Sequence, residues 1–229
     1  MRNASSFNYD ATWNAYGYSG RGNVASLINS EAGRGAIIVG SAFTFAADYA
    51  RARHVLPGAA VFAVNDVTMF LKEADHCVSW HANKLKLWKD VRWANDGMNP
   101  NTVYHSEHTK YGADYGWEGL SPSFVLSGYF AMQIAYIMGC RPIILCGCPG
   151  SPMKRFFDTS IRTDFGYGNG SSQSDVNTRE QVVSEMNRLP EFKKIVRSMS
   201  GWTRSYFGGV SYQWQLLEQS QTQKSALTR

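Results

Sequence analysis

The chain lacks any apolar run long enough to span a membrane. The nearest is 124–140, FVLSGYFAMQIAYIMGC, which Ser127, Gly128 and Gln133 interrupt and Arg141-Pro142 closes. That falls short of the roughly 20 apolar residues a spanning helix needs, so the stretch reads as a buried helix. The first thirty residues are polar, rich in Gly, Asn and Tyr, and hold no apolar core, so no secretory signal is expected. Cysteine is scarce: four residues (Cys77, Cys140, Cys146, Cys148) in a chain of 229 do not make a disulfide framework. Most of them sit in apolar surroundings, where cysteine behaves as a small hydrophobe. Charge is also sparse. At 18% charged residues, a net charge of +5 and no long basic run, nucleic-acid binding is not expected. These absences lead to the expectation of a soluble, cytoplasmic, reduced protein with no membrane partner.

What is present supports a large core. Hydrophobic residues make up 44% of the chain and aromatic residues 14%, which excludes disorder over most of its length. From residue 36 short apolar runs alternate with helical stretches. Strands are expected at Ala36–Val39, Val61–Val64, His76–Trp80, Thr102–Tyr104 and Ile143–Cys146. Helical patterns occupy 43–53, 82–92 and 124–139, and a further one is expected over 178–199 with a break at Pro190. Residues 105–123 read as irregular. Strands separated by helices imply right-handed crossovers and a mainly parallel sheet. The expected fold class is α/β, Rossmann-like, with helices flanking the sheet. Outside it lie an irregular N-terminal arm (1–35) and a long loop at 150–175. The Rossmann-like domain is assigned to 36–208 and a C-terminal tail to 209–229, Gln/Ser-rich and expected to fray from Gln213.

Ligands of such sheets bind beyond the carboxyl ends of the strands. The residues expected there are Gly40-Ser41, Asn65-Asp66, Trp80-His81 and Gly147-Cys148. Ser127-Gly128 opens the long helix, where Ser suits an N-cap and Gly permits close approach. Ordinary turns and caps would explain all of these equally well. His81, at a strand end, is the candidate general base or ligand contact, with a plain surface histidine as its alternative. His105-Ser106-Glu107-His108 offers metal-ligand types, but a loop without fixed spacing or a third ligand reads better as solvated, and no metal is expected. The chain has no G-x-G-x-x-G, P-loop, G-x-S-x-G or H-E-x-x-H. It also has no Asp-x-Asp, the usual carboxylate pair for a metal-held diphosphate, so an activated sugar would be handled without metal. No cofactor is expected.

Five segments carry a resemblance: VGSAFTF (39–45), AVFAVND (60–66), HCVSWHANKLKLW (76–88), LSGYFAMQIAYIMGCRPIILCGCPGS (126–151) and SGWTRSYFG (200–208). Together they resemble a group of phage-encoded proteins of unknown function. That group is similar in turn to the bacterial CMP-sialic-acid sialyltransferases and the hydroxymethylpterin pyrophosphokinases. The resemblance implies a nucleotide lying across the first strand ends, contacted by Gly40 with Ser41, by Asn65, and by Ser127 with Gly128. Two departures stand against sialyl transfer itself. The first loop lacks the Gly-Asn-Gly-Pro-Ser pattern, and the family's C-terminal catalytic histidine has no counterpart, since no histidine follows His108.

The resulting expectation is a metal-independent, glycosyltransferase-like protein that binds a nucleotide or nucleotide-sugar. Ser41, Asn65 and Ser127 would hold phosphate and ribose, His81 would act as base or contact, and Lys154 or Arg155 would stabilise the leaving phosphate. The alternatives are a non-catalytic nucleotide or metabolite binder, and a phage structural or assembly protein that retains the fold. In the latter, the aromatic arm (Tyr9, Trp13, Tyr16, Tyr18) would dock a virion partner or a second copy of the chain.

Overall fold

A computed structural model describes residues 24–117, 120, 127–150, 190–211 and isolated positions at 180, 183–184, 186–187 and 214. Its centre is a seven-stranded sheet, parallel at every pairing. The strands are β1 (Ala36–Val39), β2 (Ala60–Val64), β3 (His76–Ser79), β4 (Val103–Ser106), β5 (Tyr115–Gly116), β6 (Ile143–Cys146) and β7 (Val196–Ser198). Their order across the sheet is β5-β4-β3-β2-β1-β6-β7. The chain winds outward from β1 to one edge, then returns to the other side of β1 with β6. This reversal makes the fold Rossmann-like, and its switch point lies between β1 and β6.

The helices are α1 (Phe45–Val55), α2 (Ala82–Trp93), α3 (Ser127–Ile137), α4 (Phe192–Ile195) and α5 (Gly201–Phe207). Every residue of β1, β2 and β6 is buried, as strands covered on both faces must be. Alternate residues go to opposite faces. Ala36, Ile38, Ile143 and Leu145 join the apolar cluster containing α3, whereas Ile37, Val39, Ile144 and Cys146 join the cluster with Tyr49 and Ala52 of α1 and Leu85 and Trp88 of α2. α3 is buried nearly all round, which is why its sequence looked like an interrupted membrane span. Among the described residues, no helix is long and apolar enough to cross a membrane.

Four expectations need amendment. Residues 105–123 are not wholly irregular: β4 runs on to Ser106, and Tyr115-Gly116 pairs with His105-Ser106 to form β5. Two residues are too few to show an alternating pattern. The helical pattern expected over 178–199 ends before β7, which was missed because its three residues carry an arginine at the centre. Part of the N-terminal arm is docked. The amides of Asn29 and Glu31 donate to Ile137 O (3.0 Å) and Met138 O (2.8 Å), satisfying carbonyls at the end of α3, and Val24 is buried in the core. Trp214, in the tail expected to fray, is buried and lies beneath the Arg197 guanidinium, 5.3 Å from its ring centre. The 150–175 loop falls, beyond Gly150, outside the described residues.

Candidate functional site at the carboxyl edge of the sheet

At the end of β2 the chain turns through Asn65, whose φ of 54° lies in the left-handed region. Asparagine tolerates that region better than other residues with a Cβ. The turn fixes the side chain: Ser79 Oγ donates to Asn65 Oδ1 at 2.9 Å. The same Ser79 oxygen accepts the His81 amide at 2.9 Å, and Ser106 Oγ donates to the Ser79 carbonyl at 2.8 Å. Ser127 Oγ, at the start of α3, accepts the Trp80 amide at 3.2 Å. The ends of β2, β3, β4 and the start of α3 are therefore tied into one polar seam. Among the described residues, Asn65 Nδ2 and the Ser127 hydroxyl proton have no acceptor, and the Ser41 hydroxyl has no partner.

His81 caps α2 with its backbone: its carbonyl accepts the amides of Lys84 (3.0 Å) and Leu85 (3.2 Å). Its half-buried ring takes no part in the cap. The seam thus brings His81, Asn65 and Ser127 together around the end of β3.

At the switch point the arrangement is tighter. The Gly40 amide donates to Cys146 O at 2.8 Å and the Ala42 amide to Gly147 O at 3.1 Å, so the loops after β1 and β6 close on each other. A Cβ at Gly40 would lie 2.6 Å from both Cys148 Sγ and Gly147 O, and one at Gly128 would lie 3.2 Å from the same sulfur. These two glycines make room for Cys148. Burial pushes the thiols of Cys148, Cys77 and Cys140 up to about 12, so all three stay protonated at neutral pH and none is poised as a nucleophile.

Asp48, on the first turn of α1, joins three loops. Its Oδ2 accepts the Gly147 amide (3.1 Å), the Thr44 hydroxyl (3.0 Å) and the Ser200 hydroxyl (2.7 Å). Asp48 lies in the first turn of the helix that follows β1 and is only 6% exposed. Sequence reading passed over it. The available signal was an acidic residue in the first turn of a helix that follows a strand-ending Gly. Lys154 and Arg155 lie outside the described residues.

His105 was read as part of a solvated loop, but it is buried in β4, whereas His108 is partly exposed beside Glu107. Trp117 Nε1 donates to His105 Nδ1 at 3.1 Å, and His105 Nε2 faces His76 Nδ1 at 3.0 Å. His76 Nε2 in turn lies 3.6 Å from Glu31 Oε1. Burial holds His105 well below the usual histidine range. The nearby His76 ring is the main cause of Glu31 falling below its ordinary value. Among the described residues, no group of three or more His, Cys, Asp or Glu is arranged to hold a metal ion.

Comparison with known proteins found no match for this chain among protein-family models, curated proteins or solved structures. The class is therefore given by topology: a Rossmann-like α/β protein with a polar seam along its carboxyl edge.

Proposed function

We propose that the chain binds a nucleotide or nucleotide-sugar across the carboxyl ends of β1 to β3, as a glycosyltransferase-like protein. The observation that carries this reading is Asn65. Its backbone is in the left-handed region and its Oδ1 is fastened by Ser79, which leaves Nδ2 as a pre-oriented donor without an acceptor among the described residues. Unusual backbone angles held by surrounding hydrogen bonds cluster at ligand sites. Ser127 adds a hydroxyl proton at the end of β3, and Ser41 adds a hydroxyl at the end of β1. Donors in this number suit the oxygens of phosphate and ribose. His81, whose backbone amide is tied to Ser79, supplies the candidate base.

A second reading, a binder without turnover, is favoured by the absence of any histidine after His108. Thermal unfolding with CMP, CDP, UMP, UDP, GDP, AMP and NAD tests both. A ligand at about a hundred times its Kd stabilises by roughly 2.7 kcal/mol, about 5–10 °C for a chain of this size. Asn65→Ala should abolish the shift. Release of free nucleotide from a bound nucleotide-sugar, lost in His81→Ala, marks the enzyme, and recovery of the ligand intact marks the binder. A flat panel overturns both.

A further inference from the structure

Glu31 before β1, His76 at the start of β3, His105 in β4 and Trp117 just past β5 lie in one line, and the last three are buried. Each ring nitrogen along it has a fixed task. Trp117 Nε1 can only donate, so His105 Nδ1 accepts at 3.1 Å, its Nε2 carries the proton, and His76 Nδ1 accepts in turn at 3.0 Å. His76 Nε2 then holds the other proton; it makes no hydrogen bond among the described residues and lies 3.6 Å from Glu31 Oε1. Both acceptor nitrogens are occupied, so the line has no vacant site for another proton.

One more proton turns an acceptor into a donor and breaks one of the two bonds. If it lodged on His76 Nδ1 alone, two N–H groups would face each other between the histidines. The alternative keeps that bond. The solvent proton binds His105 Nδ1, and the proton of His105 Nε2 passes to His76 Nδ1. His105 ends neutral, His76 ends as the imidazolium beside Glu31, and the bond lost is that to the indole. The surroundings favour this outcome. Burial opposes a charge on His105, which stacks on Tyr115 with ring centres 5.6 Å apart. Glu31 stays ionised at mildly acid pH, and Arg34 holds its other oxygen at 2.7 Å while reaching Asp75 at 3.4 Å. The thiol of Cys140, near Glu31, is neutral, and Phe62 covers the His76 ring at 4.4 Å.

We propose that this line is a proton-operated latch: one proton taken up by the histidine pair places a cation on His76 against Glu31 and releases the Trp117 indole from His105. The amide of Trp117 donates to Ser106 O at 2.9 Å, and Ser106 Oγ donates to the Ser79 carbonyl of the polar seam. The latch therefore adjoins the seam, and it works whatever the seam binds.

Nitrogen-15 NMR of the full chain, titrated from pH 8 to pH 5, reads each part, with Trp117→Phe assigning the indole signal. The Trp117 indole should shift and lose protection from solvent exchange in the same step in which His105 passes from the Nε2–H to the Nδ1–H form. Glu31→Gln should lower the midpoint of that step by at least about one pH unit, because a neighbouring carboxylate favours the cation. His76→Phe should hold the indole signal constant over the range. A constant indole signal in the wild type overturns the latch. So does a midpoint unmoved in Glu31→Gln, or a step that persists in His76→Phe. Simultaneous loss of all native signals means unfolding in place of release and overturns it too. If His76→Phe does not fold, the midpoint in Glu31→Gln still decides.

Discussion

The indole of Trp117 donates to Nδ1 of His105 at 3.1 Å, and this bond sets the protonation of the whole buried chain. Indole nitrogen donates and never accepts, so His105 Nδ1 carries no proton. The neutral ring must then be protonated at Nε2 and donate to His76 Nδ1, 3.0 Å away. That leaves the His76 proton on Nε2, facing Glu31 at 3.6 Å. A single direction of donation runs from Trp117, just past β5, through His105 to His76.

The first prediction follows from that direction. The folded-state pKa of His105 is depressed, so the unfolded chain binds a proton that the folded chain refuses. Its contribution is present above the unfolded value near 6.5 and is lost as pH falls below it, at about 1.4 kcal/mol per pH unit. Glu31, also held low, adds a similar loss only below about pH 4.5. Urea unfolding at pH 7.5 and pH 5.5 should show the loss, and His105→Gln should flatten it between those values. An equal slope in the variant would remove His105 as the cause.

Asn65 separates backbone from side chain. Asn65→Ala should cost roughly 1–2 kcal/mol, because alanine resists a φ of 54°. Asn65→Gly should recover much of that cost, since glycine adopts this φ freely. Both variants should lose nucleotide binding equally, as both lack Nδ2. Denaturation and calorimetry on the pair distinguish a strained turn from a ligand contact.

Gly147 tests the closure at the switch point. It has a φ of 58°, and an added Cβ would collide with the Gly40 carbonyl oxygen and lie 2.6 Å from Phe45 Cβ. Gly147→Ala should destabilise by about 2 kcal/mol or more and weaken ligand binding, because the loops after β1 and β6 must part. Wild-type melting in this variant would contradict the packing described.

Arg92 is buried at 1% exposure, and no carboxylate pairs with it among the described residues. Its guanidinium donates to the carbonyls of Thr68 (3.0 Å), Leu71 (2.6 Å) and Lys72 (3.0 Å) and to Thr102 Oγ1 (3.1 Å). Arg92→Met keeps the volume but leaves those carbonyls without their donor, at a cost of about 3 kcal/mol. Arg92→Lys should recover only part, since one ammonium cannot reach the spread of acceptors. Chemical denaturation of the two variants measures both.

The alternation of buried strands and amphipathic helices was legible because the central strands are covered on both faces. Four- and five-residue apolar runs such as Ala36–Val39 and Ile143–Cys146 follow directly from that requirement. The strand-end residues Gly40, Asn65, His81 and Ser127 were legible for a related reason: polar and small residues must follow where a buried run stops. β5 and β7 were not, because two or three residues carry no period.

Residue order alone determined the α/β class, the central strands and the edge at which polar groups collect, since those depend on local periodicity. Tertiary structure alone decided which polar groups meet. Asp48 reaches Ser200 across 152 residues, and His76 reaches His105 across 29. Such pairings arise from the order of strands in the sheet, which brings β6 beside β1, β7 beside β6 and β4 against β3. Strand order is set by how the whole core packs, and no local pattern encodes it.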